Sequence, residues 1–447
     1  MKPSKRAKLV QVSAATIGLM FLLLPLHAVL TTWAGANLGH IDLFRIWKEL
    51  LLMPLTLGIL WLVVKDKELR KSLLSNKLIW LIAAYSLLHV AVGLFALQNN
   101  NVNEEALIYA LLINLRFLGF FVVCLIIASK SNWLISNWRQ LIIWPATVVV
   151  LFGLLQQFVL PANFLNHFGY GPDTIPAMHT VDRNPEYLRL QSSLRGPNPL
   201  GAYLVLVITL AGASIITQKQ RRASQASFLL GAMIVLFFSY SRSAWLGLIA
   251  SLFLLIYWLL NKPQARRYLI LSATCLVLII GGLAAIYRNN TIVENTLLHT
   301  SQVSRSPDDS NEVRIEAWSK SIKSVIKEPW GRGPGTAGPA SFRNNQPTHI
   351  AENYYIQIGQ EVGAIGLVLF LAISYFVVKE LWKVRTQKLS LILLASFAGL
   401  SIVNMLSHAW TDDTLAYLWW GLAGIALAPA IIKQKANHVQ TTKKAKT

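Results

Sequence analysis

The sequence predicts an all-α integral membrane protein of about twelve transmembrane helices, with a large extracytoplasmic loop that contains a short amphipathic helix. Three observations predict it. Of the 447 residues 54% are apolar and only 14% charged. Apolar stretches of roughly 18 to 24 residues recur from end to end, long enough to cross a hydrocarbon core of about 30 Å. Lys and Arg gather in alternate connecting segments, as membrane insertion requires. The spans must be helical, because hydrocarbon offers no partner to an open backbone N–H or C=O.

The spans begin near Leu9, Ile46, Leu78, Leu107, Leu141, Pro199, Ala226, Ala244, Tyr268, Tyr355, Leu389 and Leu415. The first follows Lys2, Lys5, Arg6 and Lys8. Its apolar run exceeds that of a signal peptide, so an uncleaved signal anchor is expected. The seventh and eighth are short and separated only by Ser239 to Ser243, a hairpin whose tip just reaches the far surface. Residues 1–447 therefore read as a single polytopic domain, with a first long loop at 161–198, a large loop at 288–354 and a solvated basic tail at 433–447. No internal repeat is visible, which disfavours the inverted-repeat transporters.

A net charge of +21 invites a nucleic-acid reading, but its distribution argues against one. Segments 1–8, 65–77, 129–140, 217–225, 261–267, 379–388 and 433–447 hold 26 of the 41 Lys and Arg and only Asp66, Glu68 and Glu380 as acids. The rest of the chain holds 15 basic and 17 acidic residues. This is the positive-inside pattern: both termini are expected in the cytoplasm, the two long loops outside, and the protein in the cytoplasmic (inner) membrane. The expected surroundings are a lipid bilayer and no nucleic acid. Cys124 and Cys275 both fall in spans, so neither a disulfide framework nor a metal cluster is expected, and both read as packing residues.

The loops carry the chemistry. Loop 161–198 contains Arg183, Arg189 and Arg195, then Gly196-Pro197-Asn198-Pro199 at the start of a span. A helix beginning at Asn198 or Pro199 exposes free N–H groups at its positive end, and guanidinium groups beside it suit a phosphate. The same arginines also fit headgroup contacts or pairing with Asp182 and Glu186. At the hairpin tip, Arg242 is either a snorkelling residue or a rigidly held surface cation.

In loop 288–354 a helix is expected from Asn311 to Ile326, with Ile315, Trp318, Ile322, Val325 and Ile326 on one apolar face and Arg314 beside it. Pro329-Trp330-Gly331-Arg332-Gly333-Pro334-Gly335 ends that helix in a stiff, close-approach turn. It lacks the Lys-Ser/Thr ending of a nucleotide P-loop. His349, Glu352 and Asn353 precede the next span and share one face if that helix has already begun. A histidine, or a carboxylate in a dry site, can accept a hydroxyl proton; a helix cap and surface polar groups are the plainer reading. Arg116 and Glu361 read as the only charges deep in spans. Charge is expensive there, so each is expected to face a partner or a hydrated cavity, and they are candidates to pair with each other. Lys48 and Glu49, at the mouth of a span, read as an interfacial pair.

Taken together, these segments resemble the O-antigen ligase and O-antigen polymerase superfamily. The resemblance lies in an ordered set of motifs covering roughly residues 189–370. Arg189 with Pro197-Asn198 comes first, then Ser241-Arg242-Ser243-Ala244-Trp245. Arg314-Ile-Glu-Ala-Trp318 and the Pro329–Gly335 turn follow. Asn353-Tyr-Tyr-Ile-Gln and Glu361-Val-Gly363-Ala-Ile-Gly366 close the set.

The resemblance implies a membrane glycosyltransferase that moves a glycan from an undecaprenyl-pyrophosphate donor to a saccharide acceptor hydroxyl on the outer face. No cofactor or metal is implied. Arg189 and Arg314 would hold the pyrophosphate, with Arg242 in support. Two departures stand out: Ser192 occupies a position where relatives often have glycine, and Glu352 stands where they often have histidine. The base then falls to His349, or after it to Glu352, with Asn353, Glu361 and Arg116 supporting. A polymerase of the same superfamily differs only in its acceptor. Two rival activities fit the same layout of spans. One is a metal-dependent polyprenyl-phosphate sugar transferase, with Asp42 and a contribution from Asp308-Asp309 at the metal. The second is a lipid-glycan flippase.

Overall fold

A computed structural model of the chain describes residues 4–181, 184–217, 222–287, 290 and 310–444, with side chains at all of these except 217, 280, 284, 310–314 and 430–444. Among the described residues, ten helices are long and apolar enough to cross a membrane. The first runs from Lys5 to Leu38 and is broken by a 3-10 turn at Leu24–Leu26 into α1 (Lys5–Leu23) and α2 (His27–Leu38). Pro25 causes the break, since it has no N–H to donate. The carbonyls freed there are taken up from elsewhere: Thr414 Oγ1 donates to Leu24 O at 2.9 Å and Ser193 Oγ to Pro25 O at 2.8 Å.

The helices that follow are α3 (Ile41–Arg45), α4 (Trp47–Lys65), α5 (Lys67–Leu74), α6 (Lys77–Gln98), α7 (Glu104–Lys130) and α8 (Asn132–Phe158). A two-stranded antiparallel hairpin, β1 (His179–Val181) and β2 (Asn184–Arg189), occupies the expected first long loop. Then come α9 (Pro197–Thr217), α10 (Arg222–Phe238), α11 (Arg242–Leu259), α12 (Pro263–Ile286), α13 (Ser310–Lys327), α14 (Tyr354–Lys383), α15 (Lys388–Leu406) and α16 (Asp413–Lys444). Helix α10 has 17 residues, the short member of the expected hairpin, and α16 continues as helix through the expected tail to Lys444.

Two glycine contacts set the bundle. At the α11–α15 crossing, Gly247 and Gly399 lie against each other's backbone, so a methyl group on either would meet a carbonyl. Small residues let helices without a hydrophobic drive between them approach closely. Gly424 of α16 likewise faces Phe121 O of α7, where a Cβ would lie 2.5 Å away. Around that seam Phe117, Phe121, Trp410, Trp419 and Trp420 are fully buried and meet edge to face or tilted.

Helix α13 forms where the hydrophobic spacing predicts, but it does not bury the predicted face. Ile315, Ile322 and Ile326 are exposed, whereas Ser321 is buried and Trp318 and Val325 are half-buried. The reason is a glycine on its neighbour. Gly359 of α14 leaves room for Val325, whose methyls would stand 3.2–3.3 Å from a Cβ placed there, and α13 turns that edge inward. Of the two cysteines, Cys124 is a buried packing residue as expected, while Cys275 is exposed on α12.

Candidate functional site

Arg189 ends β2, and the hairpin register sets it opposite His179. Its guanidinium is held from two sides: Nε donates to Ser239 O at 3.1 Å, and Nη2 donates to Asn198 Oδ1 at 2.7 Å. The next residue, Leu190, donates its N–H to Phe238 O at 2.9 Å. The strand end is thus sewn to the α10–α11 turn, and Arg242 begins α11 directly after that turn. Gly201 of α9 faces Ser241 and Ala244 closely enough that a Cβ would come within 2.7 Å of each, so the N-termini of α9 and α11 stand side by side. Ser192 has φ 51°, a conformation that favours glycine. It is tolerated because Ser192 N donates to Gln156 Oε1 (2.9 Å) and its Oγ to Val149 O (2.7 Å). The His179 imidazole is held below the ordinary histidine range by burial and then by the Arg189 guanidinium, with Gln191 acting the other way.

A second group meets the first across α9. Arg195 Nε stands 3.1 Å from Asp412 Oδ2, and Asp412 is buried. The turn that carries Asp412 also carries His408, and it is bonded to the approach of α14. Tyr354 N donates to Ser407 O at 3.1 Å and Asn353 Nδ2 to Met405 O at 2.8 Å. Burial, then the Arg195 guanidinium, push the His408 imidazole down to about 4, while the Glu352 carboxylate acts in the opposite sense. Asn353 is the N-cap of α14, its Oδ1 accepting from Tyr355 N (3.0 Å) and Ile356 N (3.1 Å).

The approach differs from the expectation that 349, 352 and 353 share a helical face. Helix begins only at Tyr354, Glu352 adopts φ 47°, and His349 lies outside any helix or strand with an exposed side chain. A left-handed residue just before the cap turns the chain, so the helical spacing does not apply. The His349 carbonyl accepts from Gly338 N at 2.8 Å, which gives that residue a backbone role.

Glu361 and Arg116 do not pair. The Glu361 carboxylate is fully buried and accepts from Asn114 Nδ2 (2.7 Å) and Gly335 N (2.8 Å). Beside it α14 breaks: Val362 and Gly363 leave helical geometry, Gly363 with φ 70° and ψ −174°. The glycine-rich turn fills the break. Arg332 N donates to Gln360 O (2.8 Å), Gly333 N to Glu361 O (2.9 Å), and Ala364 N to Pro329 O (2.9 Å). Non-helical backbone inside a span is tolerable only when protein satisfies it, and the Pro329–Gly335 turn does so.

Arg116 belongs to a different network. It pairs with Glu49 at 2.8 Å and with Asp413, and donates to Thr411 O at 3.1 Å. Lys48, only 2% exposed, lies 2.8 Å from Asp413 and 3.5 Å from Glu49. Lys48 and Glu49 do pair, but as half of a largely buried four-charge cluster rather than alone. The Trp47 indole donates to His27 Nδ1 at 2.9 Å, which leaves the proton of a neutral ring on Nε2, 3.3 Å from Asp413. Two cations and two carboxylates then balance. Lys48, Glu49 and Asp413 are thus largely buried with Arg116, where the sequence singles out only Arg116 and Glu361 as costly charges.

Of the residues singled out in the sequence, Arg189, Arg195, Arg242, Glu352 and Asn353 converge at the loop-rich end of the bundle. Arg116 holds Thr411 O beside Asp412, whereas Glu361 is tied to the glycine-rich turn. Asp42 sits in an exposed pair with Arg45 at 3.2 Å. The side chain of Arg314, and Asp182, Arg183 and Asp308-Asp309, lie outside the described residues. His179, His408, Asp412 and Asp413 are additions that no sequence motif singles out. Ser407 to Asp413 is visible as a polar break between two spans, but its partners lie far away in sequence.

No curated protein matches the chain. A family model described as O-antigen ligase matches residues 226–371, from α10 through the hairpin, α13, the glycine-rich turn and the kinked part of α14. That match covers the motifs that carry Arg242, Glu352 and Glu361 and supports the resemblance of this polytopic membrane protein to the O-antigen ligase superfamily.

Proposed function

We propose that the protein transfers a glycan from an undecaprenyl-pyrophosphate donor to an acceptor hydroxyl at the outer face of the cytoplasmic membrane, with both termini inside. One observation carries the reading: Arg189, Arg195 and Arg242 are gathered by β2, the start of α9 and the α10–α11 turn. The charge distribution supports an outer location for that end. Attack of a hydroxyl oxygen on the anomeric carbon breaks its bond to the phosphate oxygen, and negative charge grows on the leaving pyrophosphate. Fixed guanidinium groups stabilise that charge without reorganising, and their planar donors match phosphate oxygens. Arg314 joins them in this reading through the family motif. A polymerase, whose acceptor is a growing glycan chain, would use the same donor site.

The test is turnover of a lipid-pyrophosphate glycan by the purified protein with a candidate saccharide acceptor. Arg189→Ala is expected to lower kcat by about 10²–10³, the usual effect of removing one preorganised donor to a developing anion. Activity is expected to persist in EDTA. Wild-type turnover by a folded Arg189→Ala protein would remove the pyrophosphate clamp. Loss of wild-type activity in EDTA, restored by a divalent cation, would favour the metal-dependent transferase instead.

A further inference from the structure

We infer that the cavity between α1, α4, α5 and the end of α7 binds an anionic phospholipid, with the lipid phosphate held between Arg6 and Lys130. The inference does not rest on the transfer reaction proposed above. The cavity measures about 320 Å³. Helix α8 starts beside it at Ser131 and reaches Ser192 through Gln156 near its far end, so a whole span separates the cavity from the arginine-rich end. Its charged lining, Arg6, Asp66 and Lys130, comes from three of the basic segments, 1–8, 65–77 and 129–140. These side chains are held in place: Arg6 Nη2 donates to Lys65 O at 3.2 Å, Lys130 pairs with Asp66, and Asp66 Oδ1 caps α5 by accepting from Leu69 N at 3.0 Å. Val10, Leu62 and Leu69 form an apolar wall. The recess is therefore charged on one side and hydrocarbon-like on the other, as a phospholipid is.

Charge and depth select the occupant. Arg6 and Lys130 against Asp66 leave one net positive charge in the lining, which one phosphodiester neutralises. A zwitterionic lipid leaves that charge unbalanced, and a free phosphate makes no use of the apolar wall. A guanidinium carries five N–H donors and an ammonium three, so each cation can hold a phosphate oxygen beside its present acceptor. Two tryptophans mark the depth. Trp80 and Trp133 are exposed at this end of the bundle, where Trp80 Nε1 donates to Leu74 O of α5 at 2.7 Å and Trp133 N to Ser131 Oγ at 3.3 Å. Tryptophan concentrates where hydrocarbon meets headgroups, so the cavity opens at headgroup level. Around it, Lys67, Arg70 and Lys71 of α5 are exposed and draw anionic headgroups to this surface.

The test is lipid retention by the full-length protein, delipidated in an uncharged detergent and read by native mass spectrometry and thermal unfolding. Phosphatidylglycerol is expected to stay bound and to raise the melting temperature. Phosphatidylethanolamine with the same acyl chains should bind more weakly, and inorganic phosphate at the same concentration should give no shift. Arg6→Gln and Lys130→Gln should each weaken phosphatidylglycerol binding about ten-fold or more, as the loss of a charge-assisted hydrogen bond implies. Lys71→Gln removes an exposed charge of the same end outside the cavity and should change binding little. Ala7→Trp fills the cavity while keeping its charges and should abolish retention. A loss in Lys71→Gln as large as in the two lining variants overturns the site, because attraction to a basic surface then accounts for binding. Protection by inorganic phosphate equal to that by phosphatidylglycerol overturns the lipid as occupant. Should the lining variants not fold, equal retention of the two lipids by the wild type overturns the proposal. Glycan transfer enters none of these measurements, so their failure leaves the transfer reading standing.

Discussion

Replacing Asp413 with asparagine is expected to cost about 3–5 kcal/mol of stability, the usual penalty for removing one partner of a buried ion pair. The penalty comes from what is left behind. Lys48 and Arg116 are 2% and 8% exposed, and without Asp413 they share only Glu49. Thermal or denaturant unfolding in detergent measures the loss. Adding Lys48→Met to Asp413→Asn restores the charge balance with a side chain of similar length, so the double variant should be more stable than the single. A single variant that loses less than about 1 kcal/mol would mean that water reaches the cluster, since exposed pairs are worth no more than that. The site should feel the same change, because Asp413 follows Asp412 and Arg116 also holds Thr411 O.

Gly363→Ala is expected to destabilise the protein by roughly 3 kcal/mol and to release the glycine-rich turn. At φ 70° and ψ −174° only glycine is unstrained, and strain of this kind costs about 1–3 kcal/mol. The new methyl would also meet Pro329 O and, at 2.5 Å, Trp330 C, so the turn must move. Moving it unpairs Gln360 O, Glu361 O and Ala364 N, each hydrogen bond worth about 1 kcal/mol net. Arg332 lies in this turn, which makes limited trypsin digestion a direct readout of its release. A Gly363→Ala protein with the parent's melting temperature and trypsin resistance would show that the cradle holds without the glycine.

The long apolar helices, the hairpin at 239–243 and helix α13 were legible because each depends on residues close in sequence: apolar run length for the first two, helical spacing for the third. The same holds for Asn353 as a cap and for the close-approach turn at Pro329–Gly335. The inward face of α13 was not legible. Hydrophobic spacing names an apolar face, but which edge packs depends on where a neighbour leaves space, and Gly359 leaves it for Val325. Ser192 shows the intermediate case. It is visible as a departure from a familial glycine, while the bonds to Gln156 and Val149 that make it tolerable come from another helix.

The sequence alone determined that this is a membrane protein of many helices, which segments alternate in charge, and which arginines lie in motifs that resemble the superfamily's. Hydropathy and charge asymmetry add up residue by residue, so no contact is needed to read them. Tertiary structure decided the partners. It put Arg116 with Asp413 and Glu49 rather than Glu361, gave Glu361 to the glycine-rich turn, and set Arg195 against Asp412. A buried charge takes whichever counter-charge packing brings within reach, and distance along the chain does not measure that reach.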